Sequence, residues 1–597
     1  MDIKNNDYFF WFETNKFDKD NYRSLYFYNP VKIIKLDDPS NIKIFFYELE
    51  VLAHEYYVAG FFSYELGYYL EEAFNYKIDT SFPYALFCAF DQPVIFDHRE
   101  NKFTSGNLDI SHEPSPYKIE NLRMNISKEE YIENINKIRD YIHKGDIYQA
   151  NYTLKYYFDF SGSSQQLYMD LKSKQNVAYN VYAKFGETTI VSLTPELFFT
   201  KKGNIIQVKP MKGTYKRGRN IFEDREYGQF LKNDEKNRSE NLMIVDLLRN
   251  DIGKISRKGS VNVTTLFDVE KYNTLFQMTS TIESKLEENI SLYKLFKSIF
   301  PSGSVTGAPK IRSMERIFDL EKDERKIYTG SLGFFEPNGN AIFNVAIRTI
   351  LIHKTKAEMG IGGGIIYDST PEDEFLECKL KAQFLTKKSY NEFCFIETIL
   401  FDKNFRNLNL HIARLKESAE YFDYKLNDTE FLLKLNQIVP SLIDGKYKVR
   451  VLLNKSGEIQ ITYTKIKDIK LDYNITISDY RTDSNNIFLY HKTTNRELYT
   501  KEFTRVREDG YFDIIFLNEK DEVTEGSITN IYIKKNKIIF TPPIECGLLN
   551  GTIRRNMIKK NNVQEKILTL EDIYSADIIY ISNAIIGLKK VNHFKYM

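Results

Sequence analysis

Pro210-Met211-Lys212-Gly213-Thr214 sets one lysine between a proline and a glycine. From Val208 to Gly218 the run has neither helical nor strand periodicity, so it reads as a loop. Proline fixes the backbone on one side and glycine frees it on the other, giving a stiff turn that presents one amine. An amine held against other cations, or partly dried, loses its proton readily and becomes a nucleophile. A solvated loop lysine is the plain alternative, and the rest of the chain decides between the two.

Upstream, Ile205–Val208 leads into this turn as a strand. Ile190–Phe199 reads as another strand, broken by Pro195, and Ile147–Phe160 as a third. Ser127 with Glu130 has the pattern of a capping box. Ile132, Ile135, Ile138 and Ile142 follow at near-helical spacing, and Gly145 ends that helix. Downstream, 234–250 reads as a helix with Leu242, Val245 and Leu248 on one face. Ser369-Thr370-Pro371-Glu372 opens another, running to about Lys387. The first 117 residues mix short strand-like and helical runs. Val58–Tyr69 reads there as a strand entering a turn, and His112–Pro116 as a connection. The polar run Lys387–Glu392 precedes a new strand at Phe393. The expected division is 1–117, 118–389 and 390–597.

The 597 residues suffice for three or four average domains. Hydrophobic content is 42% and formal net charge +1, which gives no bulk electrostatic reason to bind nucleic acid or membrane. No apolar run reaches membrane-spanning length, and Met1–Asp7 lacks the apolar core of a signal peptide. Cys88, Cys378, Cys394 and Cys546 follow no spacing pattern and read as reduced thiols of a cytoplasmic protein. The eight histidines form no metal-ligand pattern.

Glu240 lies on the second helix, and Glu374 and Glu377, three apart, point to one side of the third. Carboxylates on two facing helices suit Mg²⁺, a hard cation; solvated helix faces are the alternative. Gly360-Ile361-Gly362-Gly363-Gly364 precedes a helix and offers backbone N–H groups to an anion. It is not a dinucleotide fingerprint, because Ile365 stands where the last glycine is needed. Arg348 lies in the apolar run Phe343–Ile350 and needs a partner, either a ligand carboxylate or an internal acid.

In order, Thr194-Pro195-Glu196, Pro210–Thr214, Ser239–Asp251, Pro301–Lys310 and the Gly360–Ala382 run resemble the chorismate-utilising enzymes. That family includes anthranilate synthases and aminodeoxychorismate synthases. The resemblance covers roughly residues 1 to 388. Lysine at the centre of the first loop resembles the aminodeoxychorismate branch; anthranilate synthases carry alanine there. The resemblance implies that Lys212 is the nucleophile on chorismate and Glu196 the acid/base for the departing C4 hydroxyl. It implies that Glu240, Glu374 and Glu377 hold Mg²⁺. Arg348, Tyr328, Ser304, Lys381 and the Gly362, Gly363 and Gly364 backbone would bind the substrate. Departures are Met211 for isoleucine, Gln277 where many relatives have histidine, and Leu380 for asparagine. No glutaminase elbow is present, so ammonia would come from a separate glutamine amidotransferase subunit or from solution.

In the remainder, Phe395-Ile396-Glu397, His411-Ile412-Ala413-Arg414, Lys492-Thr493-Thr494-Asn495-Arg496, Thr524-Glu525-Gly526-Ser527, Asn550-Gly551-Thr552-Ile553 and Ser582-Asn583 follow one another. They resemble the class IV, branched-chain-aminotransferase-like pyridoxal phosphate enzymes, which include 4-amino-4-deoxychorismate lyase. The resemblance implies that Lys492 anchors pyridoxal 5'-phosphate and moves the Cα proton. Glu525 would pair with the ring nitrogen. Arg414, Gly551, Thr552 and Ile553 would hold the phosphate, with Ser582 or Asn583 adding a contact. It also allows a homodimer through this part.

The expected fold is α+β: a chorismate-binding β-sandwich with outer helices, followed by a two-lobed pyridoxal phosphate domain. The expected activity is 4-aminobenzoate synthesis, amination of chorismate followed by elimination of pyruvate. An anthranilate- or isochorismate-type synthase fused to an aminotransferase, and a non-catalytic binding protein, are the alternatives.

Overall fold

The computed structural model describes residues 7–74, 78, 82–108, 115–386, 392–467 and 472–595. Three residues of the expected 112–116 connection and the linker at 387–391 fall outside them. Two compact units emerge. One comprises 1–216 with 228–389, the other 217–227 with 390–597.

The first unit is built on two large antiparallel sheets. One runs in the order Gly307–Ala308, Gln149–Gly162, Lys356–Ile365, Thr349–His353, Thr188–Thr194, Tyr179–Phe185, Tyr8–Glu13, Arg23–Tyr28, Val94–Asp97 and Lys102–Ser105. The other runs Met211–Lys216, Leu275–Lys285, Ile205–Lys209, Leu197–Lys202, Ala341–Asn344, Ser331–Phe335, Tyr57–Phe62, Ala85–Phe90 and Lys32–Leu36. Their inner faces meet in one apolar cluster. Phe10, Phe27 and Ala183 of the first sheet touch Phe61, Cys88 and Phe334 of the second. Burying a phenylalanine this fully stabilises by about 1.5–3 kcal/mol, so this layer holds the sandwich together.

The outer faces take helices. Lys128–His143, Ser164–Lys174 and Pro371–Thr386 cover the first sheet through Ile135, Ile138, Leu171, Phe375 and Cys378. Ile42–Glu55, Glu235–Gly253 and Leu292–Ile299 cover the second through Phe46, Leu49, Val245, Leu248 and Phe296. Ser127 caps its helix by accepting from the Glu130 N–H, and Gly145 follows with φ +73°.

Four local expectations change. Pro195 separates two strands, Thr188–Thr194 and Leu197–Lys202, that lie in different sheets. Leu242 is 44% exposed; the buried stripe of its helix is Asn241, Ile244, Val245, Leu248 and Ile252. Gly360–Gly364 is the body of the strand Lys356–Ile365. The Lys212 turn is also a strand, Met211–Lys216. In both, glycine erases the alternation by which a strand is read.

The second unit has two lobes. In one, Asn404–Phe405, Phe395–Asp402, Lys446–Leu453 and Ile459–Lys465 form a sheet. Helices Leu408–Phe422 and Asp428–Ile438 close one face of it over Phe395, Ile399, Val449 and Val451. In the other, Ile475–Thr482 and Asp513–Asn518 pair in parallel, and Asn530–Lys535 pairs with Ile578–Asn583 in a neighbouring sheet. Both sheets share the core of Ile477, Ile515, Ile531 and Ile581. Arg217–Tyr227 folds into this unit. There the Arg217 guanidinium is buried on Asp224, and the Tyr421 hydroxyl donates to the Gly218 carbonyl at 2.6 Å.

Candidate active sites

Lys212 stands on a bulge. Its strand pairs with Leu275–Lys285, but the register shifts between Met211 and Thr214, and Gly213 takes φ +93°. A bulge re-aims the side chain beside it. The Lys212 amine lies 3.9 Å from the Glu240 carboxylate. Across from it, a methyl at Gly364 would come within 2.3 Å of that amine and 2.7 Å of the Gln149 amide. A methyl at Gly363 would meet Glu374 at 3.2 Å and the Lys381 amine at 3.7 Å. The structure thus brings together Lys212, Glu240, Gly363, Gly364, Glu374 and Lys381. Burial lowers the proton affinity of Lys212 and Lys381 lowers it further, against the pull of Glu240, Glu377 and Glu374.

Glu196 is 5% exposed and accepts a 2.5 Å hydrogen bond from Ser304, which in turn touches Ser302. Burial pushes its carboxyl up to about 7, against the lowering effect of Ser304 and of the Lys212 charge. It is therefore a carboxyl that holds or yields a proton near neutrality, beside the amine. Tyr328 is buried over Gly360, where a methyl would strike its ring at 2.1 Å. Arg348 sits at φ +50° just before the strand Thr349–His353 and donates to the Gln175 side-chain oxygen at 2.8 Å. No Asp or Glu pairs with it among the described residues, so no internal acid neutralises this guanidinium. That strand pairs with Lys356–Ile365 only as far as Met359. Gly362–Gly364 therefore keeps one edge free of a strand partner.

The expected metal site is not assembled. Glu377 is drawn to Lys381 at 2.7 Å, Glu374 accepts from Ser369 at 2.7 Å, and Glu240 leans toward Lys212. Among the described residues no three acidic, histidine or cysteine side chains gather closely enough to hold a metal ion. Lys381 also donates to the Gly362 carbonyl at 2.8 Å, tying the glycine strand to the helix.

Sequence reasoning missed Gln149, Asn241 and Gln175. Gln149 is fully buried, and neither its amide nitrogen nor its oxygen has a hydrogen-bond partner among the described residues. Asn241 donates to the Lys212 carbonyl at 3.3 Å and accepts from Ser280 at 2.6 Å. A polar residue inside an apolar helical stripe was the available signal for Asn241; nothing local marked Gln149.

In the second unit, burial lowers the Lys492 amine to about 7, with Arg496 and Arg414 lowering it and Glu397 and Glu525 opposing. Burial pushes Glu525 up to about 8. Tyr499 donates to one of its oxygens at 3.4 Å and Asn530 to the other at 3.3 Å. Gly551 caps the helix Thr552–Lys559, and a side chain on it would strike Asn530. These groups fit pyridoxal phosphate: a nearly neutral amine, an acid held by two donors, and a close-packed helix start for the phosphate.

Three expected phosphate contacts are engaged elsewhere. Arg414 is clamped by Glu397 through two bonds, 2.9 and 2.7 Å, with His411 on the same carboxylate at 2.6 Å. One amino group of its guanidinium is left over. Ser582 pairs with the Tyr532 hydroxyl at 2.7 Å. Asn583 caps a turn through Ile585 and Ile586 and donates to the Ile528 carbonyl. Ile553 follows Thr552 in the helix and brings no polar side chain.

The sandwich with its lysine and glycine strand defines a class. Residues 7–387 match the chorismate binding enzyme family, and the chain belongs to it. Residues 395–594 match the amino-transferase class IV family, a domain that implies pyridoxal phosphate. Aminodeoxychorismate synthase component 1 of Bacillus subtilis is 32% identical over 353 residues, 54% of this chain and 74% of the relative. Anthranilate synthase component 1 of Saccharolobus solfataricus is 35% identical over 331 residues, 54% and 78%. The solved anthranilate synthase component I of Streptococcus pneumoniae superposes with a TM-score of 0.54 at 26% identity, covering 62% of this chain and 93% of that one. Among the described residues no helix is long and apolar enough to cross a membrane.

Proposed function

We propose that the chain makes 4-aminobenzoate in two steps. In the first, the Lys212 amine forms a bond to the chorismate ring as the C4 hydroxyl leaves with a proton from Glu196. Ammonia then bonds at C4 and the lysine departs, so the net change is chorismate plus ammonia to 4-amino-4-deoxychorismate plus water. Two displacements replace one difficult one. The observation that carries this reading is the close approach of the buried Lys212 amine to Gly364, with the Glu196 carboxyl buried on Ser304. Arg348, Tyr328 and the Gly362–Gly364 edge would take the substrate carboxylates, and Gln149 would turn its unpaired amide toward the incoming group.

In the second step pyruvate is lost from the aminated product and the ring becomes aromatic. Pyridoxal phosphate, when bound, supplies an electron sink. Lys492 would anchor the cofactor and move the substrate proton, Glu525 would face the ring nitrogen, and Arg414 with Gly551 and Thr552 would hold the phosphate. Ammonia would arrive from a separate amidotransferase, as the name "component 1" of the relatives suggests.

The test is to incubate the purified chain with chorismate, ammonium, Mg²⁺ and pyridoxal phosphate and identify the products. 4-Aminobenzoate and pyruvate are expected; anthranilate would overturn the reading. The second reading, an anthranilate-type synthase, is favoured by the 35% relative. It predicts that Lys212→Ala keeps its activity.

A further inference from the structure

We propose that Gln277 is a positioning residue for Lys212, acting through one hydrogen bond to the carbonyl beside it. The proposal rests on Lys212 being the covalent amine. The bulge that carries Lys212 cannot hold itself. The register shift leaves its peptides without regular ladder partners, and Gly213 sits where no side chain is tolerated. A methyl on Gly213 would also lie 2.9 Å from the Asn237 side-chain oxygen.

Three donors grip the exposed carbonyls in turn. The Ser280 N–H donates to Pro210 at 3.2 Å, Asn241 to Lys212 at 3.3 Å, and Gln277 to Gly213 at 3.0 Å. Ser280 and Gln277 lie on the partner strand, and Asn241 on the helix behind it. Gln277 stands directly opposite Thr214, at the point where the register resumes. Its bond therefore fixes the peptide that follows Gly213, and with it the direction in which the Lys212 side chain leaves the strand. The donation to Gly213 is the sole hydrogen bond of its side chain among the described residues. Histidine can supply the same single N–H. One donor, with no need for a titrating group, accounts for glutamine standing at this place.

Two variants separate this role from a general packing role. Gln277→Leu keeps the volume and removes the donor; Gln277→His keeps a donor. For amination of chorismate with ammonium, Gln277→Leu is expected to lose about tenfold or more in kcat, with KM within about twofold and Tm nearly unchanged. Gln277→His is expected to retain most of the wild-type kcat. Wild-type kcat in the Leu variant overturns the proposal. So does a His variant as impaired as Leu, or a kcat loss matched by a fall in Tm. If the Leu variant fails to fold, the His variant decides alone, through kcat. Lys212→Ala, assayed in parallel, tests the covalent role separately, so failure of one is not mistaken for failure of the other.

Discussion

Glu196 and Lys212 oppose each other in pH. The carboxyl must carry its proton to help the hydroxyl leave, and the amine must have lost one. Because burial raises Glu196 to about 7, the acid form fades as pH rises through that value. The kcat/KM profile for amination is expected to fall above about 7 in the native chain, and Glu196→Gln to lose that limb along with about 10²–10⁴-fold in rate. A limb that persists in the variant would assign it to another group. In the second site, Lys492→Ala is expected to abolish the visible absorbance of bound pyridoxal phosphate as well as pyruvate release, measured by titration with the cofactor. Lys212, Glu196, Lys492 and Glu525 could be singled out as candidates from the order of motifs. The partners that set their proton affinities could not: Ser304 is 108 residues from Glu196.

At the scale of the element, the Lys356–Ile365 strand does two jobs. It pairs with Gln149–Gly162, and its glycines let Lys212 and Lys381 approach the backbone. Gly364→Ala puts a methyl 2.3 Å from the Lys212 amine. Displacing the nucleophile by about 1 Å can cost ~10²-fold. A fall of that order in kcat is expected with Tm little changed, measured by steady-state kinetics and thermal unfolding; unchanged kcat would show that the amine has room to move. The helix Lys128–His143 was legible to the residue, because cap, stripe and terminating glycine are all local. The strand carrying Lys212 reads locally as a loop, because the evidence for it lies in a partner strand some sixty residues along the chain.

For the whole molecule, the two chemistries should separate genetically. Lys212→Ala supplied with 4-amino-4-deoxychorismate is expected to release pyruvate at the native rate, and Lys492→Ala to accumulate that compound from chorismate and ammonium. Product analysis by chromatography checks both; loss of both activities in either variant would contradict two independent sites. The joining of two enzyme domains was visible in the sequence as a change of motif set near residue 390. The allotment of Arg217–Tyr227 to the second unit was not. That stretch follows the Lys212 strand directly, and its fold partners Tyr421 and Ser484 come 204 and 265 residues later.

By itself the sequence singled out two candidate amines, the family of the first domain, and the class of the second, since ordered motifs survive as linear text. The tertiary structure alone decided what those amines face: the glycine edge, Gln149 and the Glu240 carboxylate at Lys212, and the Glu397 clamp on Arg414 near Lys492. Proton affinity and direction of attack depend on burial and on neighbours brought in through space, and neither is a property of adjacent residues.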